Sequence, residues 1–352
     1  MRTVARIMFT ALLVATAIGI AGAQTGTLSI YFIDVEGGQA TLVVTPAGES
    51  LLIDAGFPGD GGFSGTPGDP AKARDAQRIL AAARDAGVTQ IDYLLLTHFH
   101  ADHDGGVTEL SQLLPIKTFI DHGRPGPGAA AAVTGTQAMY DKYLIARARG
   151  KHLEPKPGDT LPIQGIEAVI VASGGEILSK PLPGAGQANS ACVGSGVPAS
   201  EKTENPRSTA VRLQFGAFRF LDLGDLSDAP LYALACPANL IGTADVYLIS
   251  HHGAADAADP SLFKAVNPRV AIFNNGQTKG AQAETLATVA GLPSIDAWQL
   301  HRTVNAGAQN VEDARIANLD ETTSAWIKIS AKSDGSFTVT NGRTGALKAY
   351  RR

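Results

Sequence analysis

The sequence is poor in cysteine and in charged residues. It contains only 2 cysteines in 352 residues, Cys192 and Cys236, and their spacing matches no zinc-ribbon pattern, so a cysteine-based metal module is excluded. Charged residues make up 18% of the chain, and the formal net charge is −4. A mildly acidic protein offers no extended surface for gripping nucleic acid, although a locally positive cleft is compatible with this charge.

Long apolar stretches are missing after the N-terminus, so no later membrane span is predicted. Arg2 and Arg6 precede an apolar run that ends in the small residues 21–23. This pattern predicts a secretory signal peptide over residues 1–23, cleaved before Gln24, with a membrane anchor as the alternative. We therefore expect a soluble mature chain, residues 24–352, in the periplasm or outside the cell.

Export decides how the two cysteines are interpreted. In an oxidising compartment an even pair of cysteines predicts one disulfide, here between Cys192 and Cys236. The alternative is two buried free thiols, since unpaired cysteine behaves as a small apolar residue.

Alternating apolar residues and turn signals predict β-strands in both halves of the chain. The predicted strands cover 27–34, 40–45, 50–54, 91–97, 208–215, 218–223, 245–250, 269–274 and 326–331. Helices are predicted from Asp69-Pro70 to near Gly87 and over 108–114, because an acidic cap and a first-turn proline mark a helix start.

The remaining segments separate and close these two β-rich halves. Residues 122–165 and 173–206 are rich in glycine, proline and alanine and are expected to be long excursions. Hairpin turns are predicted at Asp334-Gly335 and Asn341-Gly342. The whole pattern predicts an α/β fold in one large domain, a helix–sheet–sheet–helix (αββα) sandwich with a C-terminal β-hairpin and its chemistry at the strand ends.

Histidine is also scarce, but it is concentrated. Three of the 8 histidines lie in "THFHADHDGG", residues 97–106. His98 and His100 are two residues apart, so on extended backbone both project to one side and can hold a first cation. Asp102 and His103 follow where the chain turns into a helix and can hold a second cation nearby. Imidazole and carboxylate together suit zinc and similar divalent metals, and the glycine pair 105–106 is expected to let the backbone bend.

The same residues resemble the signature of the metallo-β-lactamase fold superfamily. The opening strands up to Asp54, the hairpin "STAVRLQFGAFRFLDLGD" ending at Asp225, and "DVYLISHHG" resemble further family segments in the same order. The resemblance covers roughly residues 27 to 275. The sequences of these motifs are most similar to those of the branch that contains the C-terminal nuclease-type domain of ComEC competence proteins.

The resemblance implies a ligand set for two divalent metal ions, with zinc expected and manganese as an alternative. His98 and His100 match ligands of the first metal, Asp102 and His103 match ligands of the second, and Asp225 matches the carboxylate that bridges both. His251 or His252 matches the last ligand; we favour His252, because in the family this histidine directly precedes a glycine. The other histidine is then expected to contact a ligand or the substrate.

Other residues are expected to support the site without binding metal. Asp54 is expected to orient the ligand loop through hydrogen bonds. Many family members supply a third histidine to the first metal, but this chain has Asn205 and Ser208 in that region. His122 ends a predicted strand and is expected to face the cleft. His301 is expected to be structural and His152 to lie on the surface; neither is predicted to bind metal.

The expected activity is metal-dependent hydrolysis. Two cations that share a water lower its pKa towards neutrality, which prepares it to attack a carbonyl carbon or a phosphorus, while Asp102 or Asp225 directs the proton. The chain has no G-x-S-x-G elbow or Walker loop to compete as an active site. The resemblance favours a phosphodiester or a related small molecule as substrate. The alternatives are an acyl, lactone or lactam hydrolase and a non-catalytic exported binding protein.

Overall fold

The computed structural model describes residues 26–192 and 201–351. The predicted signal peptide, residues 1–23, lies outside the described residues. Within the described ranges, no helix combines the length and the apolar character needed to cross a membrane.

The strands follow one another in the order that the sequence pattern predicts. Their bounds are β1 Leu28–Phe32, β2 Thr41–Val44, β3 Ser50–Ile53, β4 Ile91–Leu95, β5 Ile116–Ile120, β6 Lys151–Leu153, β7 Glu167–Ser173, β8 Glu176–Ile177, β9 Ala210–Phe215, β10 Phe218–Asp222, β11 Val246–Leu248, β12 Val270–Phe273, β13 Asp296–His301, β14 Ile316–Asn318, β15 Ile327–Ala331, β16 Phe337–Asn341 and β17 Leu347–Tyr350.

Helices lie between these strands. The α-helices are α1 Arg74–Asp85, α2 Val107–Leu113, α3 Ala129–Ala132, α4 Thr136–Arg147, α5 Asp228–Ala235, α6 Pro260–Val266 and α7 Ala283–Ala290. Short 3₁₀ helices span Ser190–Cys192, Asn205–Arg207, Ser250–Gly253, Ala255–Ala258 and Asp313–Arg315.

Two sheets pack face to face. The first sheet has the order β17-β16-β15-β1-β2-β3-β4-β5-β6, and the second has the order β14-β13-β12-β11-β10-β9-β7-β8. Their facing sides share one apolar core, in which the rings of Phe32 and Phe220 meet edge to face with centroids 5.7 Å apart. Removing one such ring to Ala costs about 3–5 kcal/mol.

Each sheet also buries its outer face against helices. A second apolar cluster joins the first sheet to α1, α2 and α4, and a third joins the second sheet to α5, α6 and α7. This packing explains why neighbouring residues of β1 are both buried: Ile30 faces the other sheet, and Tyr31 faces the helices. The predicted four-layer αββα sandwich is therefore confirmed.

Two local predictions need correction. Helix α1 starts at Arg74, not at Asp69, because the Asp69 carboxylate accepts the N–H of Ala71 in a local turn. Residues 122–165 are not only an excursion, since α4 packs in the core of the first sheet and β6 extends that sheet. The C-terminal strands β15–β17 join the first sheet through the antiparallel pair β15–β1, although they follow the second half in sequence.

Candidate metal centre

The predicted site residues come together at one edge of the sandwich. The pairs β3–β4 and β10–β11 are parallel, so the C-terminal ends of the strands in each pair lie on the same side. The loops that leave these four ends carry Asp54, the 98–103 motif, Asp225 and the histidine pair 251–252. Strand topology therefore brings together residues that lie almost 200 positions apart.

Four side chains form a compact donor cluster. Ligand atoms of Asp102, His103, Asp225 and His252 all lie within 4.8 Å of one another, and all four residues are buried. His103 Nε2 is 3.1 Å and His252 Nε2 is 3.2 Å from Asp225 Oδ2. His252 Nε2 is also 3.3 Å from Asp102 Oδ2. Two imidazoles and two carboxylates in this arrangement are a donor set that suits zinc.

His98 and His100 form a second pair of donors beside this cluster. His98 Nε2 lies 2.9 Å from His100 Nδ1 and 4.0 Å from Asp225 Oδ2. Asp225 thus stands between the two groups of histidines. Burial, followed by the nearby His103 and His100, holds the pKa of His98 well below its ordinary value. A neutral imidazole is the form that binds a metal.

The carboxylates of the cluster stay ionised in spite of their burial. Burial acts to raise the pKa of Asp102, but Lys279 and His103 hold it well below its usual range. The pKa of Asp225 is likewise well below normal, because His103 and His252 outweigh burial. Burial lowers the pKa of His103, yet the surrounding carboxylates, Asp225 first, raise it well above its usual value. The ionised carboxylates therefore provide negative charge for a cation, and a metal bound by His103 would displace the proton of that ring.

Unpaired donor atoms test whether the cluster fits a metal. The buried atoms His100 Nε2, His252 Nε2 and Asp225 Oδ1 make no hydrogen bond within the described part of the chain. Buried polar atoms normally have such a partner, because an unsatisfied one costs roughly 1–3 kcal/mol. The His252 and Asp225 atoms belong to the cluster and His100 adjoins it, so the residues present fit one or more divalent cations.

Asp54 holds the ligand loop in place. It is fully buried, and its carboxylate accepts the N–H of Thr97 at 2.8 Å and the hydroxyl of Thr97 at 2.7 Å. Its Oδ2 also lies 2.7 Å from Nδ1 of His103, which leaves Nε2 of that ring facing Asp225. Such a partner fixes both the tautomer and the orientation of a ligating imidazole.

The glycine pair after the motif allows close approach, not the bend that the sequence suggests. Gly106 has φ −76°, which any residue can adopt. A Cβ at this position would lie 2.2 Å from the carbonyl oxygen of Ala55. The start of α2 therefore packs directly on the loop that carries Asp54.

The adjacent histidines 251 and 252 point to different places. Both have left-handed backbone, with φ 50° and 55°, so the chain turns sharply between their side chains. His252 joins the cluster, whereas His251 Nδ1 contacts Asp256 at 2.8 Å and His251 Nε2 lies 3.8 Å from Asp225 Oδ2. Although burial opposes it, Asp225 and then Asp256 raise the pKa of His251 to about 9.

The region that lacks the third histidine also reaches the site. Asn205 Nδ2 lies 3.4 Å from His251 Nε2, and Ser208 Oγ lies 3.5 Å from His98 Nδ1. Asn205 lines the cavity in front of the cluster, whereas Ser208 is fully buried behind His98. Asn205 therefore contacts His251 from the cavity, and Ser208 contacts His98 from the buried side.

His122 lies apart from this cavity, contrary to the expectation that it faces the cleft. Its buried ring packs on Phe99, and its Nε2 is 2.9 Å from the buried carboxylate of Glu204. The strand end turns His122 into the layer between sheet and helix. His301 is buried against Asp34 at 2.6 Å, and His152 is partly exposed and pairs with Asp121 at 2.9 Å.

A cavity of about 480 Å³ opens in front of the cluster. Its inner wall includes His100, Asp102, Asp225, His251 and Lys279, and its outer wall includes Phe63, Pro67, Val133, Ala138 and Met139. Sequence reasoning missed Lys279, which lies in the loop after β12 with Nζ 2.5 Å from Asp102 Oδ2. The sequence feature that could have indicated Lys279 is a charged residue in the loop after a parallel strand.

The predicted disulfide between Cys192 and Cys236 is formed. It joins the 3₁₀ helix Ser190–Cys192 to the residue that follows α5. The bond thus ties the segment before Asn205 to the helix that follows Asp225.

Fold and site together define a two-sheet αββα protein with a histidine–aspartate cluster at its strand ends that fits a metal ion. Residues 33–188 match the family model described as the metallo-beta-lactamase superfamily. This match and the four-layer fold agree with the superfamily that the sequence resembles. The match does not distinguish branches, so the similarity to ComEC-type domains stays a prediction.

Several solved structures are similar to this chain at low sequence identity. A metallo-beta-lactamase fold protein, YhfI, from Bacillus subtilis is 11% identical with a TM-score of 0.41, covering 70% of this chain and 85% of that one. A diphosphatase of the PhnP family is 12% identical with a TM-score of 0.41, and the match covers 87% of this chain and 98% of that one. The diiron β-hydroxylase CmlA from Streptomyces venezuelae is 15% identical with a TM-score of 0.39, covering 69% of this chain and 44% of that one. No curated protein sequence matches significantly.

Proposed function

We propose that the protein is an exported metal-dependent hydrolase with a dinuclear site that acts on a phosphodiester-type substrate. The observation that carries the proposal is the convergence of buried donors from separate loops, several of which make no hydrogen bond within the described residues. Burial of two carboxylates has a desolvation cost, and bound cations would offset it further than Lys279 and His103 do alone.

In this proposal each metal has its own ligands and shares one carboxylate. Asp102, His103 and His252 hold the second ion, and His98 and His100 hold the first. Asp225 lies between the two groups, so its carboxylate would be shared by both ions. Zinc is the expected metal, because the donors are imidazoles and carboxylates, and manganese is the alternative.

Divalent cations bound there supply a water of lowered pKa and a positive charge that polarises the substrate. The side chains perform the remaining tasks. Asp225 Oδ1, which accepts no hydrogen bond within the described part of the chain, can hold the proton of the attacking water. His251 lines the cavity and is fixed by Asp256, so its Nε2 contacts the bound substrate.

Two features favour a phosphodiester over a lactam. The sequence resembles the nuclease-type branch, and Asn205 and Ser208 replace the histidine that lactam-hydrolysing members use. Proteins of this superfamily are mostly hydrolases, and one structure of similar fold is described as a diphosphatase. The disulfide agrees with export, because such bonds persist in oxidising compartments.

Metal content and substrate preference test the proposal together. The purified protein is dialysed, its metals are counted by elemental analysis, and its activity is measured on bis(p-nitrophenyl) phosphate, a lactone and a chromogenic β-lactam. We expect two metals per chain and hydrolysis of the diester that a chelator abolishes. Preferred hydrolysis of the lactone or lactam would support the acyl hydrolase, and metal binding without turnover would support a binding protein. Absence of metal binding would refute the mechanism.

A further inference from the structure

Lys279 brings a positive charge into the metal centre, although it is not one of the proposed metal ligands. Its Nζ lies 2.5 Å from Asp102 Oδ2 and 2.7 Å from the carbonyl oxygen of Gly37. The residue lies in the loop between β12 and α7, and it lines the site cavity with its side chain 27% exposed. An ammonium group has three N–H donors, so one donor remains for a molecule in the cavity.

The charge balance of the loaded site shows what this donor would bind. Two divalent cations bring four positive charges, whereas the proposed ligands Asp102 and Asp225 bring two negative charges. Lys279 adds a further positive charge beside Asp102, which is the carboxylate assigned to the second ion. A surplus of positive charge at the inner wall of a cavity attracts an anionic group and disfavours a neutral one.

The outer wall of the same cavity has a different character. It is mixed but contains a group of apolar side chains, Phe63, Pro67, Val133, Ala138 and Met139, and Phe63 is 68% exposed. The polar residues beside them are Thr66, Thr134, Thr136, Lys142 and Thr203. The cavity volume of about 480 Å³ falls within the range of small-molecule sites. This space fits an organic substituent attached to an anionic group at the inner wall.

We propose that Lys279 binds a non-bridging oxygen of a singly charged phosphodiester whose apolar substituent packs on the wall formed by Phe63 and Met139. This inference rests on the proposed function and narrows its substrate to small diesters with an apolar group. Lys279 is here a binding residue, and its charge discriminates anionic from neutral substrates.

The test replaces Lys279 by methionine, which keeps the length of the side chain and removes its charge. Inorganic phosphate is titrated into the metal-loaded protein by calorimetry, and metal content is measured on the same samples. A hydrogen bond to a charged group contributes enough that we expect phosphate affinity to fall about 10- to 100-fold. Metal content stays at the wild-type level, and Lys279→Arg recovers part of the affinity.

The matched control is Lys117→Met. Lys117 also pairs with an aspartate, Asp92 at 2.9 Å, but it lies on β5 away from the cavity. This variant binds phosphate as the wild type does. Activity on bis(p-nitrophenyl) phosphate relative to p-nitrophenyl acetate provides a second readout, and Lys279→Met lowers this ratio at least tenfold.

Three results would overturn the inference. If Lys279→Met loses metal together with phosphate affinity, the lysine only positions Asp102. If the variant binds phosphate normally while the wild type hydrolyses the diester, this inference fails and the proposed function stands. If the metal-loaded wild type neither binds phosphate nor hydrolyses the diester, both fail.

Discussion

Replacing Asp225 by asparagine tests the assignment of the metal ligands most directly. The change keeps the shape of the side chain and removes one negative charge from the centre of the cluster. Nε2 atoms of His103, His252, His251 and His98 lie between 3.1 and 4.0 Å from Asp225 Oδ2. Because this oxygen is common to all of them, its charge acts on both proposed ions.

Coulomb's law gives the order of magnitude of the effect, taken here for a single charge on the ion. Two unit charges about 4 Å apart interact with about 4 kcal/mol at an effective dielectric of about 20. Since every ~1.4 kcal/mol changes an equilibrium constant tenfold, removing this charge weakens each metal by roughly three orders of magnitude. We expect both ions to be lost on dialysis, and turnover to fall with them.

The assay combines metal counting with competition against a chromogenic chelator, and circular dichroism reports whether the fold is kept. Asp92→Asn is the control, because it also neutralises a paired aspartate but lies far from the site. Its metal affinity and activity should match those of the wild type. An Asp225→Asn protein that keeps two metals at unchanged affinity would show that the carboxylate does not bridge them.

Three further predictions concern stability. Burial raises the pKa of Asp222 to about 7. The protonated side chain therefore stabilises the fold at acidic pH, and this contribution is lost as the pH rises through about 7. In urea unfolding of the metal-free protein, the unfolding free energy of the wild type should fall by about 4 kcal/mol relative to that of Asp222→Asn between pH 4 and 8. Replacing Cys192 and Cys236 by alanine opens a link between residues 44 positions apart and should lower the unfolding free energy by about 4 kcal/mol in the same measurement. His122→Ala removes one partner of the buried Glu204, which keeps Arg207 at 3.3 Å and the N–H of Gly126 at 2.8 Å. We expect the unfolding free energy to fall by about 2 kcal/mol, while elemental analysis finds unchanged metal content.

The ligands that lie close together in sequence were the most predictable part of the site. His98, His100, Asp102 and His103 follow one buried strand, so their mutual geometry depends mainly on local backbone. The fold class was equally accessible, because strands with apolar residues at successive positions must be covered on both faces. Four layers follow from this requirement.

The positions that sequence reasoning missed depend on contacts between distant segments. Lys279 reaches Asp102 only because β12 lies beside β11 in the second sheet and its loop turns toward the first. The expectation for His122 failed for a related reason, since its direction depends on Glu204, which is 82 positions away. Alternation along one strand cannot reveal which distant residue will cover its end.

The orientation of the imidazoles shows how local and distant contacts together complete the site. Asp54 engages Nδ1 of His103, Asp256 engages Nδ1 of His251, and the Thr97 hydroxyl engages Nδ1 of His98 at 3.0 Å. In each ring the opposite nitrogen, Nε2, is thereby turned toward Asp225. The histidines supply the imidazoles, but their hydrogen-bond partners, which are local for His98 and His251 and lie on another loop for His103, decide which nitrogen is free. The site therefore depends on the complete sandwich, and variants of the orienting residues should weaken metal binding even though these residues are not proposed as ligands.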